Sequence, residues 1–150
     1  MIMARKLMII CILLLATMEG WSQEGLRIGE LFDGSYKRKS NAIEVVVKGE
    51  RLKRYHLKVF RSLTVKNAPK DFERIEALVE ADEKNAVSKE TGRIGERLYY
   101  GFYCFPAYKG QLRYVFYRNS SLREIESNEV TLVYIEGNVT MDELKKMFKK

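Results

Sequence analysis

Apolar residues in this chain recur at every second position in some stretches and at every third or fourth in others. The densest two-residue pattern lies between Arg97 and Glu136. Nine of the sixteen Tyr and Phe residues fall between Leu98 and Tyr117, and aromatic and β-branched residues suit a pleated, half-buried surface. Three strands are predicted, Leu98–Tyr108, Leu112–Arg118 and Val130–Ile135, joined by a Lys109-Gly110 turn and a polar run from Asn119 to Asn128. They read as an antiparallel meander. Leu98, Tyr100, Phe102 and Cys104 share one parity, and Tyr99, Tyr103 and Phe105 share the other. The two later strands are likewise apolar on both parities, which predicts either a central position covered on both faces or an exposed aromatic platform. Pro106 cannot donate to a ladder, so the first of these strands is an edge there or ends there.

Upstream, Ala42–Val47 reads as a strand and Lys48-Gly49-Glu50 as a turn. Arg54 to Lys66 alternates: Tyr55, Leu57, Val59, Leu63 and Val65 on one parity, Arg54, His56, Lys58, Ser62, Thr64 and Lys66 on the other. That is the pattern of a half-buried strand with a basic outer surface. Phe60 and Arg61 break it and mark a bulge or a change of neighbour. After Asn67-Ala68-Pro69, Asp71 is a candidate N-cap. Phe72, Ile75, Leu78, Val79 and Ala86 then follow helical spacing, interrupted by Asp82. This helix is expected to run towards Thr91 and to end at Gly92 and Gly95. Leu26, Ile28 and Leu31-Phe32 form a short helix or an extended lead-in. At the other end Thr140 and Glu143 make a capping-box pair, with Val139 and Leu144 at the staple positions. Met141, Leu144, Met147 and Phe148 give the closing helix an apolar stripe. The expected fold is a single α+β domain, with one mostly antiparallel sheet of about five strands. Its order would be ββαβββα, with both helices on one face.

The first residues change the picture of where this domain works. Arg5 and Lys6 precede an apolar run, Leu7–Ala16, and a short segment of mostly small residues follows. This is the three-part pattern of a secretory signal peptide. Its apolar core is too short for a membrane span, which needs roughly 20 residues. Residues 1–22 are therefore expected to be the leader and residues 23–150 the domain, with no transmembrane span in the mature chain. Cys11 lies within the apolar run, where it is a poor lipidation site. Cys104 is then the one mature cysteine, which excludes an intramolecular disulfide. Flanked by Tyr103 and Phe105, it reads as a small buried hydrophobe, with a nucleophile or intermolecular thiol as the alternative.

Charge supplies the first candidate site. The formal charge is +7. Lys37 to Lys70 holds eleven Lys and Arg against Glu44 and Glu50, a net of +9, whereas Asp71 to Glu96 is net −4. Such asymmetry bears on partners. Lys37, Arg38, Lys39, Arg54, His56, Lys58 and Lys66 are the candidate binding residues. The partner would be an anionic envelope component or an acidic protein; no RNA- or DNA-binding motif accompanies the charge, so nucleic acid is not expected. The alternative is a solvated sheet face. His56, the one histidine, has cationic neighbours and no identifiable acid to orient it, so no catalytic residue is assigned. One His and one mature Cys do not assemble a conventional zinc site, and no cofactor is expected. Glu124, Glu126, Glu129 and Glu136 flank the last strand, and Asp82, Glu83 and Glu90 lie on or after the helix. A glycosidase would need two carboxylates facing across a cleft. Tyr99, Tyr100, Tyr103, Tyr108, Tyr114 and Tyr117 could line a carbohydrate or protein contact, or fill the sheet core.

The segments Leu98-Tyr99-Tyr100-Gly101-Phe102-Tyr103, Val130–Gly137 and Met141–Phe148 resemble small exported proteins of unknown function from Bacteroides-type gut bacteria. The likeness extends over Ile28 to Phe148 and includes Leu31-Phe32-Asp33-Gly34. It implies the periplasm or outer surface of a Gram-negative bacterium and carries over no catalytic or ligand residue. The expected function is that of an exported, non-catalytic binding or accessory protein of the envelope, capturing an anionic partner on a basic sheet face. The alternatives are a small hydrolase acting on glycan or peptide, and a carrier whose aromatic meander lines a cavity for an apolar ligand.

Overall fold

A computed structural model describes residues 25–124 and 126–148. The expected leader, residues 1–22, lies outside the described residues. The strands are β1 (Ala42–Lys48), β2 (Leu57–Lys66), β3 (Ser88–Ile94), β4 (Arg97–Tyr108), β5 (Gln111–Asn119) and β6 (Glu129–Gly137); the helices are α1 (Pro69–Glu83) and α2 (Met141–Phe148). The strands form one antiparallel sheet in the order β1-β2-β6-β5-β4-β3. The α+β class and the single antiparallel sheet are as expected. The sheet has six strands, not five, and the order is ββαββββα.

The additional strand is β3, which occupies residues expected to continue the helix. Turn bonds from Asn85 to Asp82 and from Ala86 to Glu83 end α1, and Val87 N–H then donates to the Cys104 carbonyl. β3 reads Ser-Lys-Glu-Thr-Gly-Arg-Ile and is exposed or half-exposed throughout. An edge strand with neither face buried has no apolar alternation, which is the signal that pattern reading relies on. At its start, α1 takes Pro69 as first residue, where the missing N–H costs nothing, and no side chain caps it. Asp71 instead accepts a bond from the buried Tyr36 hydroxyl at 3.0 Å.

The helices cover opposite faces, which corrects the expectation of one. Phe72, Ile75 and Val79 of α1 pack with Val59, Leu63, Val65, Tyr103, Phe105, Val115, Tyr117, Val130 and Leu132. Leu144 and Val139, at and before α2, pack with Phe102, Tyr114 and Ile135, which alternate with the first set. Strands that are apolar on both parities require this, because each face must be dried separately. Two irregularities place side chains that strict alternation misplaces. The pairing of β3 with β4 shifts so that Arg93 opposes Leu98 and Gly92 opposes Tyr100. Tyr99 is the extra residue, and Leu98 joins Tyr103 and Phe105 rather than Tyr100 and Phe102. In β2 the shift lies between Leu57 and Val59. Phe60 then faces α2 while Arg61 shares the α1 face with Val59 and Leu63.

The lead-in is a 3-10 helix, Arg27–Phe32, and it explains the Asp82 interruption. Asp82 is almost fully buried. Its carboxylate accepts from the backbone N–H of Arg27 at 2.7 Å and of Ile28 at 3.0 Å, which satisfies two free donors at the helix start. Burial pushes this carboxyl above its usual range, against the two N–H groups that lower it. Glu76 plays a parallel part at β4, accepting from Arg97 Nε and Leu98 N–H at 3.0 Å.

Asp82→Ala leaves the buried Ile28 N–H and the partly buried Arg27 N–H without acceptors. The expected loss in urea unfolding is about 3 kcal/mol. A change no larger than that of an ordinary surface substitution, about 0.5 kcal/mol, would refute the anchoring role.

Candidate functional site

The seven basic candidates do not form one sheet face. β2 begins at Leu57, and Glu50–Tyr55 is a 3-10 helix joining β1 to β2, so Arg54 lies on that helix. His56 caps it in the left-handed region at φ 60°. Lys37, Arg38 and Lys39 occupy turns before β1. Lys66 N–H bonds to the Asn41 carbonyl at the same end of the sheet. Lys58 and Lys66 are separated by eight residues of strand, about 26 Å at roughly 3.3 Å per residue. Arg54, His56 and Lys58 are thus brought together at one end, and Lys37, Arg38, Lys39 and Lys66 at the other. Between them the α2 face of β2 carries Phe60, Ser62 and Thr64.

At the first end the β1–β2 connection meets the β4–β5 turn. A shallow depression of about 280 Å³ is lined by Gly49, Lys53, His56, Leu57, Lys58 and Gln111. The corner is pinned to β6, since Asn138 N–H donates to the His56 carbonyl at 2.9 Å. Gly137 permits this approach, because a Cβ there would lie 2.6 Å from that carbonyl oxygen. Lys48, Arg51, Lys53, Arg54, Lys58 and Lys109 are all exposed around this end. Among the described residues one carboxylate pairs with these cations, Glu50 with Lys53 at 2.6 Å. The Arg54 guanidinium lies 4.9 Å from the Tyr55 ring centroid. The His56 side chain makes no hydrogen bond or ion pair with a described residue.

A second concavity lies on the α2 face near the opposite end. It has a volume of about 570 Å³, within the range of small-molecule sites. Phe102 and Phe116 form its floor; Tyr100, Arg118 and Thr131 continue it, and Ser120, Glu124 and Ser127 close one side. Glu90 and Glu129 also line it. Three of the carboxylates singled out from the sequence therefore meet here, although they lie on three separate parts of the chain. Two are engaged: Glu90 accepts from Lys145 at 2.6 Å, and Glu129 lies 3.9 Å from Lys66. Arg118 donates to the Tyr99 hydroxyl at 3.1 Å. The Arg123 and Arg118 guanidiniums hold the Tyr99 phenol below its usual range. No three His, Cys, Asp or Glu residues among those described converge as metal ligands.

The remaining tyrosines divide between core and rim. Tyr103 and Tyr117 are buried on the α1 face. Tyr114 donates to the Val139 carbonyl at 2.7 Å and ties β5 to the start of α2. Asn119 is buried and uses its side-chain oxygen to accept from Ser121 N–H. No helix among the described residues is long and apolar enough to cross a membrane.

Cys104 is half-buried beside this second core, and burial pushes its thiol above the usual range. Because the thiolate is the reactive form, a Cys11→Ser protein should react with an aromatic disulfide reagent far more slowly folded than unfolded in urea. The expected ratio near neutral pH is at least about tenfold. Equal rates would reinstate the reactive-thiol alternative.

No curated protein and no solved structure matches the chain. A family model described as a family of unknown function (DUF6108) matches residues 15–148. That span is most of the chain, and the protein belongs to this family.

Proposed function

We propose that this protein is a non-catalytic binding protein, exported to the periplasm or outer surface of a Gram-negative bacterium. It captures an anionic partner, an acidic envelope polymer or an acidic protein, on the basic end of the sheet. The observation that carries this reading is the meeting of two separate turns around the depression lined by Lys53, His56 and Lys58. Lys48, Arg51, Arg54 and Lys109 surround it, all solvent-exposed. Lys37, Arg38 and Lys39 lie at the far end of β2, beyond the screening length of about 10 Å at roughly 0.1 M salt. The two groups therefore act separately on a compact anion.

A second reading rests on the aromatic-floored concavity of about 570 Å³ with Glu90, Glu124 and Glu129 in its lining. A sugar ring would stack on such a floor and hydrogen-bond to such a rim. Hydrolysis there needs a pair of carboxylates acting across the cleft, and of the three only Glu124 makes no ion pair with a described residue, Glu90 and Glu129 lying against lysines. Glycan binding fits that lining better than glycan cleavage.

The test compares two triple variants with the same loss of charge. Arg51, Arg54 and Lys58 become Gln in one; Lys37, Arg38 and Lys39 become Gln in the other. On a plain cation exchanger both should elute alike. On a sulfated polysaccharide matrix the first should elute at clearly lower salt than the second. Coincident elution on both matrices would reduce the basic end to a solvated surface and leave the concavity as the site to pursue.

A further inference from the structure

The two edges of the sheet are built differently. β3 carries Lys89, Glu90 and Arg93, with a shift in register at Gly92 and Arg93, and its Glu90 is tied to Lys145 of α2. Charge and bulges are the devices by which native edge strands resist further pairing. β1 has few of them. It pairs with β2 over seven residues without irregularity, contains no proline or glycine, and reads Ala-Ile-Glu-Val-Val-Val-Lys. Ile43 is 61% exposed, Val45 40% and Val46 43%, so apolar surface is open on both faces of the strand.

The hydrogen-bonding parity of this edge follows from the ladder. Lys66 N–H donates to the Asn41 carbonyl, whereas Ala42 N–H turns away from β2 and bonds to the Lys39 carbonyl. Opposed residues in an antiparallel pair alternate between bonded and non-bonded. The peptide groups of Ala42, Glu44, Val46 and Lys48 therefore point out of the sheet.

We infer that β1 is a homodimerisation strand, to which a second copy of this chain adds its own β1 antiparallel about a two-fold axis at Val46. The outward parity restricts bonded partners to the even-numbered residues. With Val46 opposite Val46 of the second copy, Glu44 of each copy stands directly opposite Lys48 of the other. On the α2 face Val45 meets Val47. Opposite charges placed directly across a pair of strands are stabilising and like charges are not, and the arrangement is self-complementary, as a two-fold interface requires. A second observation concerns Glu44 itself. Both its carboxylate oxygens are buried and accept no hydrogen bond from a described residue. They lie under this chain's own atoms and hold no bond there, so the Glu44 side chain pairs with the exposed Lys48 of a second copy by turning outward from that unbonded position. That match between the strand and its own sequence identifies the occupant as this chain rather than an unrelated extended peptide.

The test is sedimentation equilibrium of the purified protein from low to high micromolar concentration, with two substitutions. Val46→Pro removes an outward N–H and leaves the β1–β2 ladder intact. Lys48→Glu alters no backbone group and sets Glu against Glu44 in both pairs. Wild type should form a reversible dimer. Val46→Pro should sediment as a monomer with an unchanged circular dichroism spectrum, and Lys48→Glu should weaken the dimer roughly tenfold. The inference fails if wild type stays monomeric throughout, or if neither substitution changes the dimer dissociation constant.

Discussion

The structure depends on the two-sided apolar character of the central strands. β5 and β6 bury Val115, Tyr117, Val130 and Leu132 on one side and Tyr114 and Ile135 on the other. A sheet of that kind is stable only when each side is covered by something else. α1 and the Arg27–Phe32 lead-in supply one cover, locked to each other by Asp82. α2 supplies the second. It has eight residues, about 12 Å of helix at roughly 1.5 Å per residue, and lies against strands of nine and twelve residues. Helix and strand lengths do not match. Beyond α2, Tyr100 and Phe116 are left to line a concavity whose wall is shared with Phe102 of the core.

The same sheet separates chemistry that is continuous in sequence. The basic run from Lys37 to Lys66 spans two antiparallel strands, so its beginning and its end return to one end of the strands and its middle is carried to the other. The acidic residues behave in the opposite way. Glu90, Glu124 and Glu129 come from β3, a loop and β6, and converge around one hollow. Two surface features of different character result, a cationic end and an aromatic concavity with acidic residues in its rim, and they lie at opposite ends of the strands.

Legibility in the sequence followed burial. The elements with a strongly buried side were readable: the meander, the core of α1, and α2 with its Thr140 cap, whose oxygen accepts from Glu143 N–H at 3.2 Å. β3 was not, since no face of it is dried by packing. Asp82 looked like a defect in a helical stripe and is an anchor for residues more than fifty positions earlier. Its polarity was visible, but its partners are backbone groups, which carry no residue-type signal. Tyr99 and Lys58 displaced alternation by one residue through irregular pairing, and the residue types at those positions do not specify the shift.

The sequence by itself determined the α+β class, the antiparallel meander, both helix cores, the charge asymmetry and the absence of a recognisable catalytic motif. These are local properties, set by periodicity, propensity and composition over a few neighbouring residues. The tertiary structure alone decided the strand order, the opposite placement of the helices, the division of the basic residues between two ends and the gathering of three glutamates around one hollow. Each of these depends on which distant strands pair and in which register, and that choice is made by the joint burial of two sheet faces rather than by any one segment.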